Sequence, residues 1–138
     1  MKVSTRGRYA FRAMIDLALN YGKGPITLGS IARNQDISVK YLENIMRMFA
    51  MSGLVVSTKG NKGGFVLSKD PAKITMADIL RVTEGTLTPV PCVDNEGYCD
   101  KNGACHAYKA WNGLFQAMDK YMNSISLRDI IISESEAM

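Results

Sequence analysis

Histidine is almost absent from this chain, and cysteine is absent from most of it. His106 is the only imidazole in 138 residues, and the three cysteines, Cys92, Cys99 and Cys105, all fall within residues 92–105. No phosphate-loop motif and no grouping of nucleophile, base and orienting acid is present, so an enzyme is not expected. No run of 18 apolar residues occurs, so no membrane span is expected. The opening MKVSTRGRYAF places charges where a signal peptide needs a long apolar segment, so the expected setting is the cytoplasm. There, an odd number of cysteines argues against a disulfide staple.

Acidic residues are scarce in the first half. Residues 1–69 carry 11 Lys or Arg against three acids, Asp16, Asp36 and Glu43, a balance of +8. Residues 70–138 carry 6 basic residues against 10 acids, a balance of −4. A basic half joined to an acidic half points to a polyanionic partner for the first half alone.

The periodicity organises that basic half. From Thr5 to Tyr21, Tyr9, Ala10, Ala13, Met14, Leu17, Ala18 and Tyr21 recur at three- and four-residue steps, which predicts an amphipathic helix. Thr27 caps a short helix through Ile31 and Ala32, Gln35 to Ile37 turn the chain, and Ser38 caps a third helix. Val39, Leu42, Ile45, Met46 and Phe49 supply its buried face, and Gly53 stands where a left-handed terminator belongs. Leu54 to Val56 and Phe65 to Leu67 read as strands around the turn Gly60 to Gly64. A helix-turn-helix followed by a basic, glycine-rich hairpin is a winged helix.

The expected fold is therefore mainly α with a small β wing. Residues 1–85 would form a winged helix-turn-helix DNA-binding domain, 86–106 a cysteine loop, 107–131 a dimerisation helix with a short terminal helix, and 132–138 a frayed tail. Thr75 with Asp78 opens the helix that Gly85 closes, and Pro89 and Pro91 are expected to hold the chain extended into the loop. Tyr108, Trp111, Phe115, Met118, Met122 and Ile125 step by 3 and 4 along the last long helix, a heptad seam suited to a homodimer contact. A dimer of such domains reads a palindromic operator in double-stranded DNA.

Candidate DNA contacts on the third helix are Ser38, Lys40, Tyr41, Glu43, Asn44 and Arg47, with Lys59 and Lys62 at the wing tip. Glu43 can accept from a cytosine amino group and Asn44 can pair with adenine, whereas Lys40 and Arg47 suit phosphates. The cysteine loop admits an iron–sulfur cluster, zinc, a thiol redox switch or inert thiols. Gaps of six and five residues between the cysteines are wider than the Cys-x-x-Cys pairs of zinc sites and suit a bulkier cofactor.

The segments MKVSTRGRYAFRAMIDLAL, ISVKYLENI and KGNKGGF, together with the three-cysteine loop, resemble the Rrf-two family of winged-helix regulators. The likeness runs from Met1 to about Ile131. It implies a homodimer that binds DNA, carries a 2Fe–2S cluster on Cys92, Cys99 and Cys105, and controls cluster-assembly genes. Members that sense nitric oxide share the three cysteines, and a zinc-stabilised adaptor is the reading from another class. One position departs from the pattern. Members that sense cluster supply place a histidine three residues after the third cysteine, and here that residue is Tyr108. His106 is the candidate fourth ligand, with Asp94, Glu96, Asp100 or a group from the partner subunit as competitors.

Overall fold

The first three helices form as the capping residues predict. α1 (Thr5–Leu19) is capped by the Ser4 hydroxyl, which accepts from the Gly7 N–H. α2 (Leu28–Gln35) and α3 (Val39–Ser52) are capped in the same way by Thr27 and Ser38. α3 ends at Gly53 with φ 83°, a left-handed geometry that glycine adopts without a Cβ clash. The computed structural model describes residues 2–94 and 105–137, with side chains as far as Ser133. Cys99, Glu96 and Asp100 lie outside the described residues.

β1 (Val55–Thr58) pairs antiparallel with β2 (Gly64–Leu67), Val55 opposite Leu67 and Thr58 opposite Gly64. Ile26 adds an isolated antiparallel bridge to β2, exchanging backbone hydrogen bonds of 3.0 and 2.8 Å with Phe65. The wing is thereby fastened to the loop that enters α2. A 3-10 turn (Pro71–Lys73) leads into α4 (Met76–Glu84), where Thr75 and Asp78 form the reciprocal capping box. α5 (Pro91–Asp94), α6 (His106–Ser124) and α7 (Leu127–Ala137) complete the described chain.

The core joins the apolar stripe of α1 (Ala10, Ala13, Met14, Leu17) to Ile31 of α2 and to Leu42, Ile45, Met46 and Phe49 of α3. Leu67 of the wing, Ile74, Ile79 of α4 and Leu127 of α7 close it. A smaller cluster sets Met122 of α6 on Ala77 and Leu80 of α4 and on Leu87.

Several local expectations change. Val39, expected on the buried face of α3, is exposed at its first position. Pro91 opens a helical turn and does not extend the chain, because a proline at the first helical position has its φ preset and needs no N–H partner. Ile125 has left α6: its backbone is extended and its carbonyl accepts from the Met76 N–H at 2.9 Å. The segment expected to fray from residue 132 is helical to Ala137. Ser126 and Asp129 cap α7 reciprocally, Leu127 anchors it in the main core, and Glu and Ala favour its continuation.

Candidate nucleic-acid interface and cysteine segment

α3 turns Leu42, Ile45, Met46 and Phe49 inward, which leaves Lys40, Glu43, Asn44 and Arg47 exposed on the opposite face. That separation follows from the 3.6-residue repeat. Glu43 and Arg47 pair along the helix at 3.3 Å, one turn apart. Ser38 is exposed as the N-cap, its hydroxyl accepting from the Tyr41 N–H. Tyr41 differs from its neighbours. It is half-buried, and its ring meets Tyr9 edge-on at 5.7 Å and 87°. Lys59 and Lys62 stand exposed in the turn that joins β1 to β2.

An open cleft of about 690 Å³ runs beside α3, and its lining includes Tyr41, Asn44, Arg47 and Met48. Its other wall is Ser4, Thr5 and Arg6 at the start of α1, with Thr83 and Glu84 from the end of α4. Arg6 donates to the Thr83 carbonyl at 2.8 Å. These wall residues were not singled out from the sequence. The basic run TRGR was the only signal for the α1 side of the wall, and the packing of α1 and α4 on α3 brings it beside the exposed face of α3.

The described part of the cysteine segment holds two of the three thiols. Cys92 is half-buried on α5, and Cys105 is the half-buried N-cap residue of α6. Cys105 has extended backbone and makes no side-chain capping bond, so its sulfur is not committed to the helix end. α5 packs on α6, which draws the two cysteine-bearing elements to one another. His106, the first residue of α6, is exposed, and Tyr108 is half-buried. Asp94 accepts from the Thr86 hydroxyl at 3.2 Å. Among the described residues no three His, Cys, Asp or Glu side chains gather at metal-binding distance. Donor chemistry nonetheless fits a soft metal cluster: the Cys105 thiol stands at the N-terminus of α6, where negative charge is favoured.

α6 presents an apolar side to solvent. Trp111, Leu114 and Tyr121 are 42, 43 and 58% exposed, whereas Met122 is buried against α4. The seam predicted from the sequence is therefore divided, its C-terminal end packing on its own domain. A groove of about 320 Å³ lined by Val3, Met76, Leu80, Met118, Tyr121 and Met122 lies beside it. Among the described residues no helix is long and apolar enough to cross a membrane.

The family model for Rrf2, described as an iron-dependent transcriptional regulator, matches residues 3–133. The chain is 37% identical over 130 residues to the HTH-type transcriptional regulator CymR of Bacillus subtilis, covering 94% of this chain and 89% of that protein. It is 33% identical over 131 residues to the HTH-type transcriptional regulator IscR of Photorhabdus laumondii, covering 95% and 79%. Among solved structures, T. potens IscR superposes with a TM-score of 0.82 at 33% identity, covering all of this chain and 91% of the other. CymR, described as the global cysteine regulator of B. subtilis, superposes with a TM-score of 0.78 at 35% identity, covering 94% and 95%.

Proposed function

Since the chain belongs to the Rrf2 family of transcriptional regulators, a family without enzymes, we propose that it is a homodimeric operator-binding protein that senses iron–sulfur cluster supply. The observation that carries this reading is the confinement of all three cysteines to residues 92–105, just ahead of the helix whose apolar side faces solvent. Cys92, Cys99 and Cys105 hold a 2Fe–2S cluster, and His106 is the fourth ligand. Such a cluster supplies a centre that oxidants and nitric oxide can degrade. The genes under control are those of cluster assembly.

On the DNA side, α3 enters the major groove from its N-terminal end. Glu43 and Asn44 face base edges, while Lys40, Arg47, Lys59 and Lys62 hold phosphates and set register. The Ser38 hydroxyl closes the N-terminal turn of α3, and Tyr41 meets the groove with the ring edge that Tyr9 leaves uncovered. Two copies joined through Trp111, Leu114 and Tyr121 of α6 present two reading heads to a palindromic operator.

Anaerobic purification tests the cluster. A reddish-brown protein with iron and sulfide in equal amounts is expected, and single Ala variants at Cys92, Cys99 or Cys105 are expected to lose most of both. A colourless zinc protein would overturn it, and full iron in any one variant would remove that cysteine from the site. A second reading, a nitric oxide or redox sensor, is favoured by Tyr108 standing where cluster-supply sensors place histidine. Bleaching by nitric oxide with immediate loss of operator binding supports that reading over cluster supply.

A further inference from the structure

We propose that Arg12 is a positioning residue for α3, fixing the turn of the helix-turn-helix and acting on operator reading without touching DNA. The inference rests on α3 being the reading helix. Arg12 is one of the cations that give the first half its positive balance, and it is exposed, so charge alone would assign it to a phosphate. Its guanidinium is engaged elsewhere. Nη2 donates to the backbone carbonyl of Gln35, and Nε donates to the Gln35 side-chain oxygen at 3.3 Å. Gln35 is the last residue of α2, so Arg12 satisfies a carbonyl left open at that helix end, where a cation is favoured.

The next residue, Asp36, has φ 53° and is the only non-glycine residue in the left-handed region among the described residues. A side chain there is uncommon and persists where its surroundings hold it. Arg12 is one such restraint. A second lies one turn further along α1, where the buried Asp16 carboxylate accepts from Asn34 at 3.1 Å. The same guanidinium sits 5.5 Å from the centre of the Tyr9 ring, whose edge contact with Tyr41 reaches the first turn of α3. One planar cation thus binds the exit of α2 and, through Tyr9, the entry of α3. A lysine ammonium keeps the charge but not the fork that faces both partners.

The test compares Arg12→Lys and Arg12→Gln with wild type. The probes are a duplex enriched from a random pool by the wild-type protein and an unrelated duplex of equal length, across a salt series. A positioning role predicts that both variants lose about tenfold in affinity for the enriched duplex, a size in keeping with one lost charge-assisted hydrogen bond. It predicts unchanged affinity for the unrelated duplex and an unchanged salt slope. A phosphate contact predicts the opposite: Arg12→Lys near wild type, and Arg12→Gln flattening the slope by about 0.9 on both duplexes. Wild-type binding by Arg12→Lys to the enriched duplex, or a flattened slope, overturns the assignment. If Arg12→Gln fails to fold, Arg12→Lys and Tyr9→Leu carry the test, the latter expected to weaken enriched-duplex binding while all charges remain. Failure of the wild-type protein to enrich any duplex would overturn the reading of α3, and this assignment with it.

Discussion

Glu84, at the end of α4, grips Ser4 twice: its carboxylate accepts from the Ser4 backbone N–H at 2.5 Å and from the Ser4 hydroxyl at 2.9 Å. The same hydroxyl accepts from the Gly7 N–H, so the carboxylate braces the N-terminus of α1 through its own cap. Removal by Glu84→Ala is expected to cost about 1 kcal/mol, because the bonds are charge-assisted but solvent-screened. Gly7 gives an independent handle. A Cβ there would lie 2.8 Å from Glu84 Oε1, so Gly7→Ala should push the carboxylate off Ser4. Melting curves should show Gly7→Ala and Glu84→Ala each destabilising, with the double variant little worse than Glu84→Ala alone. Additive losses would show that the two positions act separately.

The wing depends on a glycine with no room for a methyl group. Gly64 has φ 154°, and a Cβ added to it would meet the Ile26 carbonyl oxygen at 2.3 Å. Since that oxygen is backbone and hydrogen-bonded to Phe65, it cannot swing aside as a side chain does. Gly64→Ala is expected to cost about 2 kcal/mol and to detach the hairpin from the α2 loop. Hydrogen exchange at the Phe65 amide is the direct readout, and protection equal to wild type would refute the anchoring.

Asp129 supplies a pH signature for α7. Hydrogen bonds from the Ser126 backbone N–H and hydroxyl hold its carboxyl below the usual carboxylate range. A depressed carboxylate pKa stabilises the fold above its unfolded value, and the contribution disappears as pH falls through the folded value. Asp129→Asn should therefore lower the melting temperature at neutral pH, and the gap from wild type should close on acidification below the carboxylate range. A gap that is constant with pH would show that the charge plays no part in the cap.

DNA affinity should separate the wing from the reading helix. Lys59→Ala is expected to flatten the slope of log affinity against log salt by about 0.9, the share of one phosphate contact. Glu43→Ala should instead change base preference, and its removal also releases Arg47 from the 3.3 Å pair. Salt titrations on two operators differing at one base pair read both effects. An unchanged slope for Lys59→Ala would show that the wing tip does not touch DNA.

Local rules recovered most of the helix ends up to α4. Ser38, Thr27, Thr75 and Gly53 each act within one helical turn, so their roles were visible without knowledge of tertiary packing. Two groups of residues were not legible. The cleft wall of Thr5, Arg6 and Glu84 is assembled from helices about 80 positions apart in sequence, and no pattern within one helix reports such proximity. The heptad seam was visible, but which part of it packs at home depends on α4: Met122 is taken inward and Trp111 is left outside, beside Leu114 and Tyr121, which the seam did not include. Tyr41 shows the same limit, since its spacing fits an exposed helix face, whereas it packs on Tyr9 and against the main core.

A path of contacts leads from Cys105 to α3. Cys105 stands at the N-terminus of α6, and α6 holds α4 through Met118 and Met122 and through the Arg81–Asp119 pair at 3.3 Å. α4 in turn ends at Thr83 and Glu84, the residues that hold Arg6 and Ser4 in the cleft beside Asn44 and Arg47. A cluster that fixed the start of α6 would therefore act on an element already joined to the exposed face of α3. It shifts DNA binding only as far as it prefers one arrangement of that element over the other. The expected coupling is about 1–3 kcal/mol, a change in operator affinity of about 5- to 150-fold between cluster-loaded and cluster-free dimer. Isotherms for both forms on the same operators at one salt concentration measure it directly. Arg81→Ala should shrink the difference between the forms while leaving iron content intact. Equal affinities of the two forms on every operator would sink the sensor reading, even with a cluster bound in full.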